Sequence, residues 1–511
     1  MKLQPALIFG EHMVLQRDKE IKVFGTTAAE DTVTVTLCGE SVSAVAVDGV
    51  WEVTLSPKDA CDKTTMSISS RVTEETIEFK DVAIGEVWLA GGQSNMEFLM
   101  KFDYDFKETA ELSDDDELRY FCYPQTAFKG FLETENNCPN WGFWRKWNDA
   151  ENRKQFSAVA TYAAMILRKK LGVPVGIVAC NWGGTPASAW TKREDMEANP
   201  ALKPVLDWHN SELEKINWAK YITASDKKAE PQDPKMQEVF ERMMMGEDMS
   251  DFFKNFDPSV FMQADFVPFM PGPRSTVRPS GLYENMLTKV APYTIRGVLW
   301  YQGEDDDARD WAEFYDESMK TMIKSWRNLW GYDFPFYQVE LAPFKGVGPT
   351  AAKNYPLIRH KQAKAVAETE DAYDICILDA GEELNIHPRH KKIVGERLGR
   401  VVMKHTYGDD SLVADCPRVI GISKEPEAIV ISFADAAGGI EIREGLGEVL
   451  KIKQDGLFKS YIAETDGDKL VLLLRYEAHK PVEITYCEEN FCNAALFNSE
   501  GNPVYGFKFE A

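Results

Sequence analysis

The chain opens on alternation. Thr32-Val33-Thr34-Val35-Thr36-Leu37 alternates polar and apolar positions. Val50-Trp51-Glu52-Val53-Thr54-Leu55, Thr65-Met66-Ser67-Ile68 and Thr76-Ile77-Glu78-Phe79 follow it, separated by turn residues. A period of two marks half-buried strands, because successive side chains of a strand point to opposite faces. Short strands at this spacing predict a small β sandwich over residues 1–80. Near residue 81 the pattern changes. Val87-Trp88-Leu89-Ala90 is a continuous apolar run, the mark of a strand buried on both faces. Phe156, Val159, Ala160, Ala163, Leu167 and Leu171 fall on one side of a helix. Further strands are expected over 173–180, 297–301, 335–341 and 374–378, and further helices over 311–330, 357–368 and 391–404. Strand alternating with helix predicts a parallel sheet with helices on both faces, over residues 81–408. From 409 to 511 alternation returns, in Ala428–Phe433, Leu470–Leu474 and Val482–Tyr486, and predicts a second β domain.

Two segments interrupt the α/β layout, at about 100–150 and 195–280. The first carries Trp141, Trp144 and Trp147, and the second the run Met243-Met244-Met245. Segments of this length commonly serve function, and both are long enough to wall a pocket. Their aromatics are either core residues or a stacking surface for a sugar ring.

Composition narrows the classes. At 511 residues, with 44% hydrophobic and 27% charged positions, the chain can bury more than one core. The net charge of -24 comes without a Lys/Arg-rich run. That excludes nucleic acid as the expected partner, since such affinity rests on phosphate neutralisation, and it disfavours an anionic membrane surface. No run is long enough to span a bilayer. The nine cysteines are an odd number, most of them single in apolar runs, which suggests structural thiols in a reducing compartment. The first residues show no signal-peptide core, so a cytoplasmic enzyme is expected, as a monomer or a homo-oligomer. Neither histidines nor cysteines show metal-ligand spacing, and no cofactor is expected.

Candidate chemistry sits where strands end. The first buried strand runs into Gly91-Gly92-Gln93-Ser94-Asn95-Met96. A serine between strand and helix is exposed at the carboxyl edge of a sheet, beside N–H groups that point outward. The second strand is followed by Asn181-Trp182-Gly183-Gly184-Thr185-Pro186, the third by Gln302-Gly303-Glu304-Asp305, and the fifth by Asp379 and the stretch to His387-Pro388. Ligands of open parallel sheets bind outside these carboxyl ends, so the four segments are expected to converge. A serine hydroxyl needs a base to take its proton, and neutral imidazole suits that task near pH 7. His387 is the candidate base, with His390 read as a surface residue. A carboxylate must orient the imidazole, and Glu382, Glu383 and Asp379 are near in sequence, in that order of preference. The N–H groups of Ser94 and of Gly183 or Gly184, with the Gln302 side-chain amide, are the candidate oxyanion donors. Asn95 and Glu304 are the expected substrate contacts. Each segment also has a plain structural reading: Ser94 as a helix cap, Gly183-Gly184 as a turn, Gln302 and Glu304 as a buried polar network, His387 as a helix-entry residue. His12 is read as structural.

These segments resemble the SGNH (GDSL-type) hydrolase superfamily, in its sialate O-acetylesterase-like branch of carbohydrate esterases. The resemblance is carried by Phe9-Gly10-Glu11-His12-Met13-Val14-Leu15-Gln16-Arg17, by Gly85-Glu86-Val87-Trp88 leading into Gly92-Gln93-Ser94-Asn95-Met96, and by Gly183-Gly184-Thr185-Pro186. Gly281-Leu282-Tyr283, Trp300-Tyr301-Gln302-Gly303-Glu304, Ile386-His387-Pro388 and Leu496–Pro503 extend it through the chain. It implies a flavodoxin-like core between two β domains, Ser94 as nucleophile, His387 as base, and an oxyanion hole from Ser94, the Gly183 segment and Gln302.

One departure stands out. The superfamily has Asp three residues before the histidine, and this chain has Leu384. A Ser–His pair with a backbone carbonyl holding the imidazole is therefore an alternative to a triad. After Glu304 come Asp305-Asp306-Asp307, whose charge disfavours an anionic substrate and favours a neutral one such as an acetylated xylan or mannan fragment. The expected function is a serine carbohydrate O-acetylesterase on imported oligosaccharides, with O-acetylated sialic acid as the alternative substrate. A carbohydrate-binding protein with an inert core is the rival of a different class. A lipase or thioesterase is disfavoured by the polar insertions.

Overall fold

The computed structural model describes residues 2–111, 114–128, 141–226, 234–248, 272–348, 351–425, 427–475 and 482–510. The chain divides into two compact units. The first holds residues 1–233, 258–302 and 317–336, the second residues 234–257, 303–316 and 337–511.

The first unit is built on one long strand. Its sheet contains β1 (Val14–Gln16), β2 (Cys61–Ser70), β3 (Thr76–Gly92), β4 (Asp115–Cys122), β5 (Trp144–Trp147), β6 (Val175–Asn181) and β7 (Gly297–Tyr301). Strand β3 has two characters. Residues 76–81 alternate in exposure and residues 82–92 are buried throughout; the strand pairs antiparallel with β2 as far as Ile84, then parallel with β6 from Glu86 and with β7 from Trp88. The sequence shows the same switch, from alternation to a continuous apolar run. The expected boundary near residue 80 thus falls inside one strand. Thr32–Leu37 and Glu40–Val45 extend the antiparallel pairing beyond β2, and a three-stranded antiparallel sheet of Gln4–Pro5, Ile21–Thr26 and Val50–Leu55 completes the amino-terminal β structure.

Across the core the order is β5-β4-β6-β3-β7. The strands β4, β6, β3 and β7 run parallel, and β5 is antiparallel at the edge. The sheet is therefore mixed rather than parallel throughout. Strands β4 and β5 come from the segment expected to wall a pocket. Charges hid them: Arg119 interrupts the apolar run of β4, yet its guanidinium is buried, donating to the carbonyls of Asp116 (2.9 Å), Asp81 (3.0 Å) and Asp62 (3.2 Å). The sugar-stacking reading of Trp144 and Trp147 also fails. Both are buried, and the Trp144 indole donates to the Ile8 carbonyl at 2.8 Å.

Glu86 is the one charge in the buried part of β3. Arg17 Nε at 2.6 Å, Arg296 Nε at 2.7 Å and Gln16 Nε2 at 3.1 Å hold its carboxylate. These bonds keep its pKa below the ordinary value despite burial. Helix α1 (Ser94–Glu97) follows β3, and α2 (Ala158–Leu171) packs on β4 and β6. Ser157 caps α2 by accepting the Ala160 N–H, and Gly172 ends it with φ 68°, a left-handed conformation that glycine adopts without a Cβ penalty.

The second unit carries α3 (Glu304–Ala308), the strand β8 (Ala372–Ile375), the helix α4 (Lys391–Tyr407) and antiparallel β structure from Arg418 onward. Alternating residues of that β structure, among them Ile429, Ile431, Ile452, Leu470, Leu472, Ile484 and Tyr486, bury a common core with Cys376 and Leu378. His12, read from sequence as structural, has its Nδ1 2.8 Å from Asp81 Oδ2.

Candidate active site

Register brings three of the four segments to one level. Gly92 of β3 pairs with Asn181 of β6 on one side and with Tyr301 of β7 on the other. Ser94 therefore leaves the sheet two residues past this level, Gly183 two residues past it, and Gln302 one residue past it. From β3 the chain forms β4, β5 and β6 on one side and then β7 on the other, so the carboxyl end of β3 is a topological switch point, where open α/β sheets place their ligands.

Backbone bonds carry the register into the loops. The Gln93 N–H donates to the Tyr301 carbonyl (3.0 Å), and the Trp182 N–H to the Gly92 carbonyl (3.1 Å). Gly92 has φ 133°, and a Cβ there would lie 2.2 Å from the Tyr301 oxygen, so only glycine lets the strands close up. The carbonyl of Gln93 accepts the N–H groups of Met96 and Glu97, each at 2.9 Å, which turns the chain at Ser94. Ser94 is half-buried and Asn95 is 1% exposed. The Ser157 hydroxyl donates to the Met96 carbonyl at 2.6 Å, so one residue caps α2 and steadies the serine turn.

Gly183 lies directly against the serine. A Cβ built on it would be 3.2 Å from Ser94 Cβ, 3.6 Å from Ser94 Cα and 3.5 Å from Glu97 Oε2. Its N–H donates to Glu97 Oε2 at 2.7 Å, and Gln125 Nε2 donates to Glu97 Oε1 at 3.0 Å. Gly184 follows at φ 67°. Gln302 is fully buried, and its Nε2 donates to the Thr185 carbonyl at 3.1 Å, which ties the third segment to the second. Sequence reasoning did not single out Glu97, Gln125 or Ser157. The signal for Glu97 was its position three residues after Ser94, one helical turn on.

The histidine loop belongs to the second unit. His387 is 7% exposed, and its backbone N–H donates to Asn385 Oδ1 at 3.0 Å. Burial, helped by the Lys391 ammonium, pushes its pKa down to about 3, so the imidazole is neutral near pH 7. Glu382 straps the loop: Oε2 accepts from Asn385 Nδ2 (3.0 Å) and Oε1 from the Arg389 N–H (2.7 Å). Asp379 makes a bidentate pair with the buried Arg397, at 3.0 Å on each arm. Glu383 is exposed and pairs with Lys345 Nζ at 3.1 Å. Leu384 and His390 are exposed.

Glu304 is 5% exposed and opens α3 after Gly303. The acidic run that follows is turned into the protein. Asp305 pairs with Arg309 Nε at 2.6 Å, and Asp307 accepts the backbone N–H groups of Lys353 and Asn354, each at 2.7 Å. Burial pushes both carboxyls up. Asp305 thus has an internal counter-ion and Asp307 internal donors, which weakens the electrostatic case against an anionic substrate. Among the described residues no group of three or more His, Cys, Asp or Glu side chains is placed to hold a metal ion, and no helix is long and apolar enough to cross a membrane.

Parallel strands ending in serine, glycine and amide segments at one level are the frame of an α/β ester hydrolase. Comparison with known proteins agrees. Residues 269–401 match the family model described as "Carbohydrate esterase, sialic acid-specific acetylesterase". Sialate O-acetylesterase of Rattus norvegicus is 27% identical over 453 residues, 80% of this chain and 74% of that protein. Its Mus musculus counterpart is 28% identical over 456 residues, with the same coverage of both chains. The solved structure of a carbohydrate acetylesterase from Xanthomonas citri superposes with a TM-score of 0.73, at 24% identity and 99% coverage of both chains, which shows a shared fold. The chain is thus similar to sialate O-acetylesterases and carries a carbohydrate-esterase segment over residues 269–401, and these likenesses support carboxylic ester hydrolase activity.

Proposed function

We propose that this protein is a serine O-acetylesterase that removes acetyl groups from sugar hydroxyls, on an α/β core of the SGNH type. The observation that carries the reading is the packing of Gly183 against Ser94 at the switch point of the parallel strands, where a Cβ would be 3.2 Å from Ser94 Cβ. Ser94 Oγ attacks the acetyl carbonyl while His387, kept neutral by burial, takes the hydroxyl proton. The charge that develops on the carbonyl oxygen meets donors among the N–H groups of Ser94 and Gly184 and the Gln302 amide, whereas the Gly183 N–H, the other expected donor, is held by Glu97. The bond from the acyl carbon to the sugar oxygen breaks, and the imidazolium returns its proton to that oxygen. Water then attacks the acetyl-enzyme, passing a proton through His387 back to Ser94, and acetate leaves. Asn95 and Glu304 are the proposed substrate contacts. Glu382, bonded to Asn385 and to the Arg389 N–H on either side of His387 in the chain, is the first choice for the carboxylate that orients the imidazole, ahead of Glu383 and Asp379.

For the sugar, the relatives named sialate O-acetylesterase support O-acetylated sialic acid. A neutral xylan or mannan fragment is the reading favoured by the charge of Asp305–Asp307, an argument weakened by the inward partners of Asp305 and Asp307. Acetate release from acetylated xylo-oligosaccharides, acetylated manno-oligosaccharides and O-acetylated sialic acid, measured in parallel with Ser94→Ala, tests both levels. Release that disappears in Ser94→Ala is expected, and the preferred arm names the substrate. Release that survives in Ser94→Ala sinks the serine mechanism.

A further inference from the structure

Glu97 stands one helical turn from Ser94 and touches the same glycine. Its carboxylate accepts the Gly183 N–H at 2.7 Å and the Gln125 amide at 3.0 Å. Gln125 also donates to the Asn181 carbonyl at 3.2 Å, so the clasp is anchored to the end of β6. Gly183 fills the space between Ser94 and Glu97: a Cβ on it would meet Ser94 Cβ at 3.2 Å and Glu97 Oε2 at 3.5 Å. A carboxylate makes a stronger and shorter bond to an N–H than a neutral acceptor does, so it fixes the turn more firmly.

We propose that Glu97 is a positioning residue for ester hydrolysis, acting through Gly183: its carboxylate sets the 182–184 turn against Ser94 and thereby the placement of the oxyanion donors. This rests on the serine mechanism proposed above and adds a residue that the reaction does not touch directly. A carboxylate this close to a developing oxyanion opposes it by charge. Burial pushes the Glu97 carboxyl up, while the Gly183 and Gln125 donors act in the opposite direction. A purely structural clasp would be as well served by an amide in the same place, so Glu97→Gln separates anchoring from charge.

The test measures kcat and KM of the full-length protein on 4-nitrophenyl acetate for Glu97→Ala, Glu97→Gln, Gln125→Leu and Ser94→Ala, with thermal unfolding of each. Losing an oxyanion donor costs about 100- to 1,000-fold in kcat, and misplacing one costs less. Glu97→Ala is expected to lower kcat by roughly 10- to 100-fold with KM changed by less than about twofold. Glu97→Gln, which keeps an acceptor for Gly183, recovers much of that loss. Gln125→Leu shows the same kcat-only pattern at smaller size. Should Glu97→Ala not fold, the other two variants decide. Folded variants with wild-type kcat, or a loss confined to KM or to unfolding temperature, overturn the proposal. If Ser94→Ala is inactive while the Glu97 variants are unaffected, only the role of Glu97 falls. If Ser94→Ala stays active, the serine mechanism falls and the role of Glu97 with it.

Discussion

Gly183→Ala isolates the contact on which the site depends. Gly183 is not among the residues with positive φ, so alanine brings no backbone strain and the effect is steric. The new methyl would stand 3.2 Å from Ser94 Cβ and 3.6 Å from Ser94 Cα, where carbon pairs settle at about 3.5–4.0 Å. Ser94 or the 182–184 turn must give way by a few tenths of an ångström. Overpacking of this kind costs about 1–3 kcal/mol in stability. A misplacement of about 1 Å costs roughly 100-fold in rate, so a shift of a third to a half of that predicts a fall in kcat of about tenfold. The assay is steady-state hydrolysis of 4-nitrophenyl acetate with urea unfolding in parallel. Gly172→Ala is the control. It has φ 68° with nothing within 4 Å of the added methyl, so it should lose about 1 kcal/mol of stability and leave kcat unchanged. Wild-type kcat in folded Gly183→Ala would falsify the packing of the two segments as the frame of the site.

Other perturbations have equally definite signs. Glu86→Gln leaves Arg17 and Arg296 without their buried counter-ion and should cost about 3 kcal/mol by urea unfolding, with activity intact in the remaining folded protein. Because the Glu86 pKa is held down in the folded state, its contribution is present above the usual carboxylate pKa and is lost as pH falls. The stability gap between wild type and Glu86→Gln should therefore narrow below about pH 4.5, and a pH-independent gap would contradict the ion cluster. For His387 the folded pKa of about 3 lies below the ordinary imidazole value of 6.5, so folding excludes a proton and stability should fall as pH drops from about 6.5 towards 3. The acid limb of kcat/KM should accordingly lie below pH 6.5, and a limb above it would refute the buried, neutral imidazole. Trp144→Phe removes the bond to Ile8 and should cost about 1 kcal/mol of stability while leaving KM for any sugar ester unchanged.

Much of this was legible in the chain itself. The alternating run before residue 81 and the apolar run after it gave strands of the right kind, since exposure in a strand follows directly from which residues are apolar. Ser157 and Gly172 bound the helix between them with cap chemistry that is local. The strand Gly297–Tyr301 is found where its apolar run placed it. The segments after the strands announced themselves by glycine, serine, glutamine and histidine. What composition could not show was pairing. That residues 76–92 form one strand shared by an antiparallel and a parallel partner depends on neighbours far away in sequence. Strands 115–122 and 144–147 were hidden because buried Arg119 looks like surface until the carbonyls that satisfy it are in place. Asp305 and Asp307 carried a charge argument that their inward partners weaken. The level alignment of Gly92, Asn181 and Tyr301 is a matter of register, and so is the clasp of Glu97 on Gly183. Local sequence determines which segments turn, cap and bury, because those preferences act over a few residues. Only the tertiary structure decides which turns meet, because that depends on long-range hydrogen-bond register and on polar groups whose burial is affordable only once distant partners arrive.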